Sequence, residues 1–182
     1  VTLAEEIRER SGEDVNVCYQ CHKCSGGCPL TFVSDLPLSG VIRALQLGLR
    51  DVVLASRLVW LCSGCRTCYE RCPNGIDGAR VLDAIKAMAK EEDRVEDPQV
   101  AAFHDSFLGM VRRFGRAYEL GMMAVYKVRT GTLTQDVPMG LKMLARRKLR
   151  LVPSLAPGRR DLGRLFREGV RYRKRQAGGE FA

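Results

Sequence analysis

Outside two short segments this chain has no cysteine, and it holds only two histidines and one tryptophan among its 182 residues. That scarcity leaves no spare thiol nucleophile. Neither a Ser/His/Asp set nor a pair of carboxylates can be argued from spacing, so no residue is assigned a catalytic role. The glycine-rich GxGxxG fingerprint of dinucleotide sites is missing. The longest apolar runs, such as Met122 to Tyr126, fall far short of a bilayer's thickness, so no transmembrane span is expected. Alternation of apolar and polar side chains at a period of two is weak throughout, which speaks against a sheet core. The first residues, VTLAEEIRERSGED, carry charges at helical spacing where a secretory leader would have a cationic start and an apolar block. The expected location is cytoplasmic, where thiols stay reduced and open to metal.

What is there is concentrated. All eight cysteines fall in CYQCHKCSGGCP, from Cys18 to Pro29, and CSGCRTCYERCP, from Cys62 to Pro73, and both segments read C-x2-C-x2-C-x3-C-P in the same register. Triplets two residues apart favour wrapping a metal over crosslinking distant segments. Zinc would take two sets of four thiolates. A third cysteine at another two-residue step, then a fourth three further on with proline behind it, is instead the run of bacterial two-cluster ferredoxins, whose fourth cysteine ligates the other cluster. Two 4Fe-4S clusters are therefore expected, one held by Cys18, Cys21, Cys24 and Cys72, the other by Cys62, Cys65, Cys68 and Cys28. The exchange would bring the two runs side by side about a pseudo-twofold axis, and the apoprotein should fold poorly.

Several neighbouring residues have a role to be decided. Gly26, Gly27 and Gly64 either bring backbone N–H groups to sulfur or simply permit tight turns. His22 sits between two ligands, but with four cysteines per cluster it is not needed as one. Tyr19, Tyr69 and Trp60 are expected to shield the clusters as core, and His104, beside Phe103 and Phe107, to have no chemistry.

The remaining pattern is helical. Residues 2 to 11 read as a short helix. Ser39 is expected to cap a helix through Leu49 with Val41, Ile42, Leu45 and Leu49 on one face, followed by a second from Val52 to Trp60. The 33 residues between the runs are thus helical where a small β-type ferredoxin has strands. Asp77 can cap a helix from Gly78 to about Lys90 with Val81, Ile85 and Met88 inward, and Asp97 with Pro98 opens another that Gly115 ends. Further helices are expected over Arg116–Arg129, Pro138–Leu149 and Asp161–Lys174, before a disordered AGGEFA. The fold class is all-α: an α-helical ferredoxin-type dicluster core over residues 1–110 and a basic helical extension over 111–182. Residues 1–141 hold 17 Lys/Arg against 18 Asp/Glu, and 142–182 hold 13 against 3. A nearly neutral core and a strongly basic tail can face different partners.

The second run with its flanks, WLCSGCRTCYERCPNGID, resembles the C subunit of heterodisulfide reductase, and the likeness extends through CYQCHKCSGGCPL and the helices between, to about residue 110. Residues 111–150, including YELGMMAVYKVRTG, resemble the bacterial members less specifically. The resemblance implies an electron conduit in a hetero-oligomer, between a flavin-containing A-type subunit and a cysteine-rich B-type subunit that performs the disulfide chemistry. All eight cysteines match the family's double motif. The B-type CCG motifs and a flavin site do not occur here. Similar runs occur in iron-sulfur subunits of quinone-linked, succinate dehydrogenase-like and glycerol-3-phosphate dehydrogenase-like complexes. A nucleic-acid-binding role through RRKLR and RYRKR is disfavoured, because residues 1–141 carry no excess positive charge and few aromatics interleave the basic runs. The stripe Leu162, Leu165, Phe166 and Val170 suits a partner surface better than a peripheral membrane contact.

Overall fold

The computed structural model describes residues 2–133, 135, 137–146, 148 and 152–177, except for the side chains of 160 and 170–177. It is all-α, with no strand among the described residues. The chain divides into two compact units, Val1–Val100 and Ala101–Ala182.

The first unit starts with α1 (Leu3–Ser11), closed at its front by a reciprocal cap. The Thr2 hydroxyl accepts from the Glu5 amide, while the Glu5 carboxylate accepts from the Thr2 amide. A single 3-10 turn, Val15–Val17, leads into the first cysteine run, which contains the one-turn helix α2 (Lys23–Gly26). The connection to the second run is α3 (Leu38–Gln46), α4 (Arg50–Leu54) and α5 (Leu58–Leu61); the second run contains α6 (Thr67–Glu70), and α7 (Gly78–Glu91) follows.

The core forms where α1, α3, α4 and α5 converge on α7, which packs against α1, α4, α5 and α6. Its inward face is Val81, Leu82, Ile85, Met88 and Ala89, all buried, and Ile7, Leu45, Val53, Leu58 and Trp60 meet them from the other helices. Burial of such side chains at about 1.5–3 kcal/mol each is what the short helices depend on, since one- or two-turn helices are marginal alone. A rim of ion pairs ties the same elements at the surface: Arg50 reaches Glu6 at 2.6 Å and also Glu92, Arg10 reaches Glu91 at 2.7 Å, and Arg94 reaches Asp51 at 2.6 Å. These exposed pairs add little individually.

The helix expected through Leu49 stops earlier. Gly48 takes φ +70°, and Leu49, 46% exposed, stands ahead of α4 instead of facing inward. Ser39 does not cap α3. Pro37 occupies that position, and the Ser39 hydroxyl is buried against Ser25. The single helix expected over Val52–Trp60 is two, because the Asp35 carboxylate reaches in at the break and accepts from the amides of Arg57 (3.0 Å) and Leu58 (3.3 Å) and the hydroxyl of Ser56 (3.3 Å). Asp77 does cap α7, accepting from the amides of Ala79 at 3.1 Å and Arg80 at 3.4 Å.

The second unit contains the greater part of α8 (Pro98–Phe114), then α9 (Glu119–Thr130), α10 (Val137–Ala145) and α11 (Arg159–Ala177). Asp97 accepts from the Val100 amide and so opens α8 as expected. Gly115 ends it at φ +80°, where a Cβ would lie 2.8 Å from that of Ala156, while the Ala156 amide donates to the Phe114 carbonyl. Within this unit Phe103 meets Tyr126 edge-on at 6.1 Å, and Gly131 closes α9. The expected disorder of AGGEFA falls almost wholly on residues outside the described set, as does the Val170 side chain of the apolar stripe.

Candidate metal centre

The two cysteine runs have the same backbone as well as the same spacing. Each bends through two left-handed residues flanking its second cysteine: Gln20 (φ 61°) and His22 (φ 61°) around Cys21, Gly64 (φ 67°) and Arg66 (φ 58°) around Cys65. Each then makes a one-turn helix, α2 or α6, that ends two residues before the fourth cysteine. A left-handed conformation costs a non-glycine residue roughly 1–2 kcal/mol. Three of the four such residues among those described lie in these runs, so this is where the chain holds strain. The bends curl three thiols toward a common space.

Two cavities result, and each takes sulfur from both runs. One is lined by Cys18, Cys21, Cys24 and Cys72, the other by Cys62, Cys65, Cys68 and Cys28. The fourth cysteine of each run thus lies in the other run's cavity. Hydrogen bonds stitch the crossing on both sides. Asn74, two residues past Cys72, donates its amide to the carbonyl of Val17, next to Cys18, and the Glu13 carboxylate accepts from the Asp77 amide at 3.0 Å. In the other direction Asp35, seven residues past Cys28, holds the start of α5, which leads into Cys62.

The remaining walls are partly apolar, with Leu38, Ile42 and Ile76 in one cavity and Leu30, Leu38, Leu58, Ala79 and Leu82 in the other, and partly polar, with Gln20, His22 and Ser39 in the first and Ser63, Arg66 and Thr67 in the second. Leu38 lines both. Gly78, at the start of α7, is the tightest fit. A Cβ there would stand 2.5 Å from Leu38 Cδ2 and 3.1 Å from Cys68 Sγ, so only glycine lets the helix approach this near. Cysteine spacing points to neither Gly78 nor Leu38. The signal for Gly78 is a glycine at the first position of an otherwise well-formed helix, where alanine is the better former. Of the three glycines within the runs, Gly64 takes a positive φ without strain where Gln20 takes it in the first run, Gly27 has the Arg71 side chain against it, and Gly26 has open space.

Backbone and side-chain donors surround the sulfurs. The Ile76 amide points at Cys72 Sγ at 3.4 Å, and the Gln20 side-chain amide at Cys18 Sγ at 3.5 Å. Burial pushes the thiols of Cys24, Cys62 and Cys68 above the ordinary cysteine range, with nearby N–H groups opposing it. The exposed Cys65 is lowered instead, by the Thr67 hydroxyl first and the Thr67 amide second. A metal that binds these sulfurs as thiolates displaces protons from the three buried groups.

His22 turns its Nδ1 to the Ser39 hydroxyl at 2.9 Å, and Ser25 in turn donates to Ser39 at 2.8 Å, so its ring is engaged in a hydrogen-bonded chain joining the first run to α3. The aromatics divide. Trp60 is core, 1% exposed, but Tyr19 is 62% and Tyr69 37% exposed, a correction to the expectation that all three are buried shields. Their polar edges explain it: the Tyr19 hydroxyl lies near the exposed Cys21 thiol, and Tyr69 has the Arg66 guanidinium 5.0 Å over its ring. Arg66 also pairs with the buried Asp77 carboxylate at 2.7 Å.

Among the described residues, no three His, Cys, Asp or Glu side chains close on a point as a single ion requires. The thiols instead border two spaces, four to each, a donor set that fits a multi-iron group held by thiolate sulfur.

Comparison with known proteins agrees. Residues 14–76 match the 4Fe-4S dicluster domain family. The chain is 45% identical over 73 residues to the iron-sulfur C subunit of the CoB-CoM heterodisulfide reductase of Methanopyrus kandleri, covering 40% of this chain and 36% of that one. It is 34% identical over 110 residues to a C-type iron-sulfur subunit, the one numbered 2, of the CoB-CoM heterodisulfide reductase of Methanocaldococcus jannaschii, covering 58% and 56%. The C subunit of the H2:CoB-CoM heterodisulfide, ferredoxin reductase of Methanothermobacter thermautotrophicus is 30% identical over 89 residues, covering 49% and 46%. The chain thus spans from about a third to just over half the length of these relatives. The dicluster match and the eight cysteines together assign two 4Fe-4S clusters to the chain.

Replacing Gly78 with alanine is expected to destabilise the first unit by about 1–3 kcal/mol through overpacking and to lower iron retention, with the cluster nearest Cys68 lost first. Iron per chain after anaerobic reconstitution, followed during thermal unfolding, measures both. Full iron and unchanged melting would show that the close approach of α7 is not required.

Proposed function

We propose that this chain, which belongs to the heterodisulfide reductase C-subunit family through its dicluster region, is an electron-transfer subunit that relays electrons between a flavin-containing A-type subunit and a disulfide-active B-type subunit. The observation that carries this reading is the exchange of the fourth cysteine between the two cavities. On it we assign Cys18, Cys21, Cys24 and Cys72 to one cluster, and Cys62, Cys65, Cys68 and Cys28 to the other. When bound, such clusters supply one-electron acceptance and donation. Four thiolates saturate each, and no cysteine is left to act on a substrate. The chain's own residues hold the clusters adjacent, line the gap with Leu38, and bring Cys21 and Cys65, the exposed ligand of each set, to the surface where a partner can approach.

The extension suits assembly. Helix α11 carries Arg159, Arg164 and Arg167 on exposed positions with Leu162 and Phe166 half-buried, a basic amphipathic surface complementary to an acidic partner subunit. Among the described residues no helix is long and apolar enough to cross a membrane.

Two experiments test the proposal. Anaerobically purified protein is expected to hold about eight irons per chain, and Cys72→Ala about half that. The paramagnetic signal lost should be the one that Cys21→Ala also removes, with the signal removed by Cys65→Ala retained; the opposite pairing would contradict the crossed assignment. Deleting residues 153–182 is expected to weaken capture of partner subunits while leaving iron content intact, and undiminished assembly would discard the docking role.

A further inference from the structure

The pseudo-twofold relation between the runs is broken at one pair of equivalent positions, 27 and 71. Each residue follows a one-turn helix, each has nearly the same backbone, φ −103° and ψ −5° at Gly27 against φ −96° and ψ −8° at Arg71, and each is followed directly by a crossing cysteine, Cys28 or Cys72. Helices α2 and α6 pack against one another, so the two positions meet. Only one can have a side chain there. A Cβ on Gly27 would lie 2.5 Å from Arg71 Cδ, 2.6 Å from Nε and 2.9 Å from Cζ. The arginine is therefore laid flat on the glycine, with its guanidinium carbon against the residue that precedes Cys28 while its own backbone leads into Cys72.

The charge on that guanidinium is unusual in its surroundings. Among the described residues of the first unit, Arg8, Arg10, Arg50, Arg57, Arg66, Arg80 and Arg94 each sit within 4 Å of a carboxylate. Arg43 has none but donates to the Gln46 side chain. Arg71 has neither among the described residues. An uncompensated cation has been kept at the seam where the two ligand sets cross.

On the cluster assignment proposed above, we infer that Arg71 is a positioning residue for charge, a cation at the crossing of the two ligand sets that favours the reduced form of both clusters and so raises both reduction potentials. Each cluster with four thiolates carries a charge of about −2, and about −3 after one electron is taken up. The second electron enters against the first. Repulsion between the sites separates the two uptake steps and is unchanged by a fixed cation, while a cation near both clusters lowers the cost of each electron and moves both steps to higher potential. A chain that can store two electrons matches a partner whose disulfide needs two. Because Arg71 is exposed, part of its effect is screened and falls with added salt.

The test is an anaerobic potentiometric titration with dithionite as electron donor, one electron per cluster, followed by electron paramagnetic resonance on the full chain. Samples are first verified to contain two clusters, so failure of the assignment shows there and not in the titration. Arg71→Met is expected to shift both uptake steps to lower potential, with the two potentials less salt-dependent than in the parent. Arg71→Lys, which keeps the charge without the fork, should restore most of the shift. Gly27→Ala approaches from the other side. Its methyl displaces the flexible end of Arg71 and should lower both potentials, by less than Arg71→Met, while the arginine is still present. Unchanged potentials in Arg71→Met with both clusters in place overturn the inference. Should Arg71→Met fail to load, unchanged potentials in Gly27→Ala do the same. A drop in Arg71→Lys equal to that of Arg71→Met overturns it as well.

Discussion

The fold of the first unit depends on one constraint, that the fourth sulfur of each run belongs in the cavity built by the other. With three thiols from residues 18–24 and one from residue 72 bordering the same space, the chain between them is a closed loop. Its mirror runs from Cys28 to Cys62. The second loop is nested within the first and closes on the other cavity, and this nesting, together with the buried core, holds helices of four or five residues in place. Hydrogen bonds from Asn74, Glu13 and Asp35 follow the crossing and bring each run's exit to the approach of the other. The strain of the left-handed residues at 20, 22 and 66 is offset by the same closure.

Packing then sets how close the two cavities come. Leu38 borders both, and α7 can lie against it only because Gly78 has no side chain. The buried face of α7 anchors α1, α4 and α5 around this point, so the hydrophobic core and the metal centre share a wall. Metal binding and folding are for that reason expected to be linked. Rigidity also serves electron transfer, since the distance between two redox centres in a packed scaffold does not drift.

Much of this is legible in the residues themselves. The expected ligand pairing rests on the spacing C-x2-C-x2-C-x3-C-P, the run in which the fourth cysteine serves the other cluster, and the structure brings the same sets of thiols to each cavity. The α7 cap at Asp77 and the inward set Val81, Ile85 and Met88 follow from helical periodicity. What escapes has a physical reason in each case. Left-handed turns at Gln20, His22 and Arg66 are imposed by closure on residues that do not advertise them. Ser39 resembles a cap by type, but Pro37 already closes the helix and the hydroxyl finds Ser25 and His22. Tyr19 and Tyr69 look like core by size, but their hydroxyl and ring partners lie at the surface. The Asp35 contact that splits the expected Val52–Trp60 helix joins residues 21 to 23 apart, beyond what local pattern can report.

On the proposed assignment the clusters use all eight thiols, which suits a chain that carries electrons, and it has two asymmetries, Arg71 against Gly27 and a basic extension against a neutral core. Everything in that account turns on which sulfurs hold which iron. An anaerobic crystal structure phased on iron anomalous scattering tests it most directly. The expected result is two iron clusters, with Cys72 bonded to the one that also contacts Cys18, Cys21 and Cys24, and Cys28 to the one that contacts Cys62, Cys65 and Cys68. Either run found closed on a cluster of its own, or a single zinc ion in place of iron, would contradict it.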